Sequence, residues 1–332
     1  LNNDPTKDSR KKDHIKLALA SQIAKTDDRF YYEPMLGNMG SVSIEVEFLN
    51  KKLSAPLWIS SMTGGTAMAY DINHKLAKAC KKYGLGMGLG SCRSLLDSDS
   101  RFKDFDLRET IGNQPLFANI GIAQIEAMLK ANKIDKLSKM VGNLQADGLI
   151  VHINPLQEWL QPEGDQILVS PTETLKNLLA HVNMPVIAKE VGQGFGPKSM
   201  EALMALPLAA IDFAAHGGTN FSQIEMSRSK NESTHPYKGV SQIGHSAIDM
   251  VGFANKALNN MTNIACKNFI ISGGVGGFLD GYYLTSKLNA QCIYGQGNAF
   301  LQATIKGYDE LCTYIEAQID GLKMAKSFLT IK

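Results

Sequence analysis

The chain has 332 residues, 44% hydrophobic and 20% charged, enough for one large α/β domain or two smaller ones. Its 34 Lys and Arg nearly match its 32 Asp and Glu, which argues against the clustered basic footprint of a nucleic-acid partner. No apolar run approaches the about 18 residues expected of a membrane span. Cys80, Cys92, Cys266, Cys292 and Cys312 are odd in number and lack any C-x-x-C pair, which speaks against a disulfide framework or structural zinc and for a reducing cytoplasm.

Residues 1–50 read as an N-terminal extension. Within it Arg10, Lys11, Lys12, Asp13 and His14 concentrate charge ahead of a helical start at 15–20. The run is either a solvated face or an anion clamp, Arg10 supplying a fork and Lys11 a point charge suited to a diphosphate. From 41 to 48 the residues Val42, Ile44, Val46 and Phe48 alternate with period two, predicting a strand outside the main repeat and a lid over one end of the domain.

Residues 51–332 then show a rhythm of short apolar runs at 57–59, 84–89, 116–118, 149–151, 186–188, 209–213, 269–271 and 292–294, with helical patterns such as 73–82 and 172–181 between them. Eight strands alternating with helices over roughly 250 residues predict an α/β chain folded as a single-domain (β/α)8 TIM barrel. A doubly wound open sheet would want a dinucleotide fingerprint after its first strand, whereas 60–66 reads SSMTGGT. The gap between strands six and seven holds 222–244, rich in Ser, Asn, Lys and Pro, and reads as a long mobile loop over the barrel mouth.

Polar or glycine-rich residues follow all eight runs, and parallel strands bring such ends to one rim. The fourth end is the densest. After 149–151 come His152, Asn154, Gln157 and Glu158, in which a proton carrier, two amides and a carboxylate gather with no packing reason. Lys189 interrupts the run Pro185-Val186-Ile187-Ala188, and a buried ammonium is costly unless it meets an anion. That anion is either a reduced flavin ring or a neighbour such as Glu190 or Glu158. The turns Gly273-Gly274-Val275-Gly276-Gly277 and Gly295-Gln296-Gly297-Asn298 place bare backbone after strands seven and eight, fit for a cofactor phosphate or for tight turns alone. Ser91 and Arg93, after the second run, suit a second phosphate belonging to substrate. No strong side-chain acid is conspicuous at the mouth.

RKKDH near the start, ISSMTGGT, GSCR, FANIG, HINPLQE, PVIAKEVG, HGGTNF and ISGGVGG, in this order, resemble type 2 isopentenyl diphosphate isomerase, an FMN-dependent barrel family. The resemblance implies interconversion of isopentenyl and dimethylallyl diphosphate with reduced FMN as acid and base, Mg²⁺ as cofactor and NADPH as reductant. By position it implies that Met62, Thr63, Gly64, Ser91, Asn119, Lys189 and Thr219 contact the flavin, and that Gly274, Val275, Gly276, Gly297 and Asn298 hold its phosphate. It gives Arg10, Lys11, His14, Ser91, Arg93, His152, Asn154 and Gln157 to substrate, Glu158 to Mg²⁺, and catalytic roles to Gln157, His152 and Lys189. A homo-oligomer, tetramer or octamer, is implied as well. The chain departs from the family pattern at Ala214, usually Ser, and at Gly276, usually Arg, which puts the phosphate grip in question. The rival expectation is an FMN-dependent 2-hydroxy acid oxidase, because Ala215-His216-Gly217-Gly218 resembles the segment carrying the base of those enzymes; Thr219 stands where they have Arg.

Overall fold

The computed structural model describes residues 14, 17–21, 23, 25–61, 67–228 and 236–332. Three short strands precede the barrel: β1 (Phe30–Tyr32), β2 (Val46–Phe48) and β3 (Lys51–Leu53). Eight parallel strands then close on themselves in chain order: β4 (Leu57–Ile59), β5 (Gly86–Gly88), β6 (Leu116–Gly121), β7 (Gly148–His152), β8 (Val186–Lys189), β9 (Ala210–Asp212), β10 (Asn268–Ser272) and β11 (Gln291–Gln296), with β11 pairing back onto β4. These are the eight runs that the apolar rhythm marks. Most of their residues are buried on both faces, as a parallel sheet between its own interior and a helical shell requires.

The shell and its connections comprise α1 (Ala67–Tyr83), α2 (Arg108–Ile111), α3 (Ile122–Lys130), α4 (Ile134–Asn143), α5 (Pro155–Leu160), α6 (Pro171–His181), α7 (Pro197–Met204), α8 (Phe221–Ser227), α9 (Ala247–Asn260), α10 (Phe278–Lys287), α11 (Asn298–Lys306) and α12 (Tyr308–Phe328). Local sequence starts several of them. Pro155, Pro171 and Pro197 occupy the opening position of α5, α6 and α7, where the missing N–H costs nothing. Ser246 and Asp249 cap α9 reciprocally. Among the described residues no helix is long and apolar enough to cross a membrane, and all five cysteines are free thiols.

The alternation at 41–48 yields a shorter strand than the pattern suggests, because β2 begins at Val46 and is the first arm of a hairpin with β3. Leu49 and Asn50 form its turn with φ of 53° and 60°, the left-handed pair that a two-residue hairpin demands. The hairpin closes the N-terminal end of the barrel. Phe48 and Leu53, both fully buried, pack into the interior layer of Trp58, Phe117, Ile150, Ile187, Ala210, Ile270 and Ile293. Trp58 meets Phe117 edge-on at 6.0 Å. The last strand, β12 (Leu329–Ile331), runs antiparallel to β1 and ties the N-terminal extension to the chain's other end.

With one end plugged, the other is left for chemistry. Phe48→Ala should destabilise the fold by about 3–5 kcal/mol, the usual loss for a buried phenylalanine, read as a lowered urea midpoint. A loss under about 1 kcal/mol would mean that the hairpin is not part of the core.

Candidate active site

At the C-terminal mouth, the ends of β4, β8, β9, β10 and β11 enclose a cavity of about 300 Å³. Ser60 and Ser61 just after β4, Lys189 from β8, Ala214 and Thr219 beyond β9, Ser272 at the end of β10 with Gly274, Val275 and Gly276 beyond it, and Gln296 at the end of β11 with Gly297 and Asn298 beyond it line it. Eight of the described lining residues are glycines. Gly273 has φ +85°, and a Cβ there would stand 2.1 Å from the Ala215 carbonyl oxygen, so this turn admits glycine alone. Ala214 takes φ 41° without being glycine, a strained conformation of the kind that clusters at ligand sites. Two buried lining hydroxyls, Ser60 Oγ and Ser61 Oγ, have no hydrogen-bond partner among the described residues, so the cavity presents polar atoms that a ligand can satisfy.

Lys189 is buried, and its Nζ donates to the Glu190 carbonyl at 2.8 Å. The Glu190 carboxylate is engaged elsewhere, accepting the N–H groups of Gly192, Gln193 and Gly194 at 2.7, 2.6 and 2.9 Å. The charge facing the lysine comes instead from Asp212, its register partner on β9 and fully buried. Asp212 Oδ1 accepts the Ser272 hydroxyl at 2.5 Å, Ser272 Oγ accepts the Ala214 N–H at 2.9 Å, and Asp212 Oδ2 has no partner among the described residues. Burial pushes the Asp212 carboxyl up, against the opposing pull of the Lys189 ammonium and the Ser272 hydroxyl.

On the other flank, His152 of β7 is the second register partner of Lys189. Asn119 fixes its tautomer. The amide nitrogen donates to the Leu89 carbonyl at 3.0 Å, so the amide oxygen is left to accept from His152 Nδ1–H at 2.8 Å. Nε2 therefore keeps its lone pair. Burial, and then the Lys189 ammonium, hold this imidazole down to about 3, so it is neutral at physiological pH. Gly121 makes room for it, since a Cβ there would stand 2.8 Å from His152 Nε2.

Farther out, α5 carries a polar chain. Asn154 donates to Gln157 Oε1 at 3.1 Å and to Glu158 Oε1 at 2.9 Å, while Glu158 Oε2 accepts the Asp165 N–H at 2.7 Å. Asp165 pairs with Arg93 at 2.7 Å. In the other direction Gln157 and Gln161 donate to Glu225 Oε1 at 3.0 and 2.8 Å, and Arg228 pairs with the same carboxylate at 2.8 Å. Glu225 belongs to α8, so the segment read as a mobile loop opens with a helix, capped by Asn220 accepting from the Gln223 N–H.

The structure thus gathers Lys189, Thr219, Gly274, Val275, Gly276, Gly297 and Asn298 on one cavity. It places Asn119 and His152 beside that cavity through Lys189, and Asn154, Gln157, Glu158 and Arg93 on an adjoining hydrogen-bonded rim. Ser91 is exposed at the end of β5, and His14 is exposed on a helical stretch and absent from the cavity wall. Arg10, Lys11, Met62, Thr63 and Gly64 lie outside the described residues. His216 turns its Nε2 to the Ser241 carbonyl at 3.2 Å and does not line the cavity, contrary to what a base in the oxidase manner would do. Asp212 and Glu225 are not among the candidate residues named from the sequence. Asp212 carried the same signal as Lys189, a charge inside the apolar run 209–213.

No protein-family model matches the chain. It is 33% identical to the isopentenyl-diphosphate delta-isomerase of Rickettsia felis, over 95% of this chain and 90% of that protein. Identity to the isopentenyl-diphosphate delta-isomerase of Rickettsia prowazekii is 34%, over 95% of this chain and 91% of that one. Among solved structures, mandelate oxidase with benzoyl-formic acid superposes with a TM-score of 0.60 at 12% identity, covering 92% of this chain and 87% of that chain. Mandelate oxidase with 3,3-difluoro-2-hydroxy-3-phenylpropionic acid gives 0.58 at 12% identity over the same shares of 92% and 87%. At such identities the structural likeness shows the barrel fold alone.

His152 yields a pH test. Its pKa is depressed from 6.5 to about 3 on folding, so between those values the unfolded chain binds more protons and stability falls as the pH drops below 6.5. Above about 6.5 it contributes no slope. His152→Gln should therefore lose less stability than the parent between about pH 7 and pH 5, measured as urea midpoints at both pH values. Equal losses in the two proteins would rule out a depressed histidine.

Proposed function

Because the chain belongs to the isopentenyl-diphosphate delta-isomerase family and interconverts isopentenyl and dimethylallyl diphosphate, we propose that it does so with FMN in the mouth cavity, Mg²⁺ at Glu158 and NADPH as the reductant. The observation that carries this reading is the meeting of Lys189 with the glycine turns on one cavity wall, next to the polar rim that begins at His152.

The residues suit a flavin. Ser60 Oγ and Ser61 Oγ are unpartnered hydroxyls on the wall, the glycine turns after β10 and β11 leave room beside the N-terminus of α11, and Lys189 brings one positive charge to an otherwise uncharged described lining. They also suit Mg²⁺ of the kind that takes a single protein carboxylate and completes its shell with substrate oxygens and water. Each Glu158 oxygen accepts one hydrogen bond, leaving lone pairs free, and no group of three His, Cys, Asp or Glu that could cage a metal occurs among the described residues. Reduced FMN, when bound, supplies the acid and base of the double-bond shift. Lys189 would meet the negative charge of the reduced ring from the cavity wall. Neutral His152, held by Asn119, offers Nε2 to substrate without adding a positive charge beside the cationic character that develops on the allylic carbons. Gln157 orients the diphosphate end, and its amide is itself aimed by Glu225. Arg93 and His14 bind the diphosphate together with Arg10 and Lys11, which lie outside the described residues, and the protein works as a homo-oligomer in the cytoplasm.

Purified protein given isopentenyl diphosphate, Mg²⁺ and anaerobically reduced FMN should form dimethylallyl diphosphate and lose this activity under air; activity indifferent to oxygen would refute the flavin's part. Lactate-dependent flavin reduction should be absent. Glu158→Gln should raise the Mg²⁺ concentration for half-maximal rate by about 10- to 100-fold, and an unchanged Mg²⁺ titration would take the metal away from Glu158.

A further inference from the structure

The glycine turn after β10 has an acid built into its edge. Gly276, which lines the cavity, donates its N–H to Asp280 Oδ2 at 2.7 Å, and Asp280 lies in the first turn of α10. A carboxylate there suits the helix N-terminus but repels a second anion seated on the same turn. Among the described lining residues only Lys189 is charged, and it stands on β8, with β9 between it and β10. The cation joined to the glycine rim comes from elsewhere in the chain. Arg29 Nη1 donates to Asp280 Oδ1 at 2.7 Å across 251 residues of sequence. Its guanidinium is fixed on its other edges by Asp27, Nε at 2.9 Å and Nη2 at 2.6 Å, and lies 5.2 Å from the Phe30 ring centroid and 5.3 Å from that of Tyr283. Its own carbonyl accepts the Lys332 N–H at 3.0 Å, so the β1–β12 sheet holds it in place.

We propose that Arg29 screens the Asp280 carboxylate at the rim and so lets the glycine turn hold a phosphate monoester. Arg29 is thus a positioning residue that acts through Asp280, and it makes the N-terminal extension part of the cofactor's seat. The inference rests on reading that turn as the seat of the FMN phosphate, and the test separates the two.

The full chain, freed of flavin, is titrated with FMN and with riboflavin, which lacks the phosphate, and quenching of flavin fluorescence gives each Kd. Arg29→Gln should weaken FMN binding about fivefold while changing riboflavin binding less than about twofold. Adding Asp280→Asn to Arg29→Gln should bring FMN affinity back to within about twofold of the parent, because the charge that needed screening is gone. A purely structural ion pair predicts the reverse, with both ligands weakened alike and no rescue in the double variant, and that result would overturn the proposal. An FMN preference unchanged in Arg29→Gln would overturn it while leaving the phosphate seat intact. Equal parent affinity for FMN and riboflavin would remove the seat and this inference with it. Thermal melts of each variant, followed by circular dichroism, identify any loss of affinity that is only a loss of fold.

Discussion

One buried ammonium organises the mouth of this barrel. Lys189 ends β8 with its side chain enclosed, and an enclosed charge is tolerable only among groups that meet it. The flanking strands supply what it needs in opposite ways. Asp212 on β9 faces it with a carboxylate held by Ser272, while His152 on β7 is kept neutral by burial and by the lysine itself. Three adjacent strands therefore carry an acid, a cation and an uncharged imidazole in one row. The row has a direction: its negative end lies toward the glycine turns and its neutral end toward the rim where the diphosphate substrate is proposed to sit.

Closing a parallel barrel makes this arrangement inexpensive to build. Every strand delivers its C-terminal residue to the same rim, so side chains far apart in sequence become neighbours without any long-range loop having to place them. The opposite rim must then be sealed, and the β2–β3 hairpin does it with Phe48 and Leu53. Ala214 at positive φ, the unpartnered Ser60 and Ser61 hydroxyls and the free Asp212 Oδ2 occur at the functional end, while the plugged end packs apolar side chains around an edge-on aromatic pair whose Trp58 indole N–H has no partner among the described residues.

The barrel was legible in the sequence because its signal is repetitive: eight apolar runs at regular spacing survive errors of a residue or two at each boundary. Lys189 was legible because a lysine in such a run breaks the pattern. Asp212 breaks it equally, yet a strand of three residues gives little pattern to break. Glu225 was hidden by composition. The polar stretch 222–244 reads as loop, and only the tertiary contact with Gln157 and Gln161 shows why an acid sits near the start of α8. The partner of Lys189 illustrates the same limit. Glu190 is adjacent in sequence, but its carboxylate is turned to three backbone N–H groups of its own loop, and alternation along an extended strand sends neighbouring side chains to opposite faces.

Charges at the site are stored in two different ways, and the difference follows solvent exposure. Lys189 is fixed by burial, so removing the Asp212 carboxylate beside it would leave an uncompensated charge in a poorly solvated place. Arg93, by contrast, is 60% exposed and rests on Asp165, itself 37% exposed. An exposed pair of this kind contributes about 0–1 kcal/mol and exchanges easily for a stronger anion. On the proposed reading, a diphosphate at the rim takes Arg93 from Asp165 at little cost and leaves Lys189 in its row. Asp165 also receives the Gln124 amide, and its own N–H holds Glu158. The carboxylate that releases the arginine thus stays anchored, and the proposed metal ligand keeps its orientation while the substrate's charge is met.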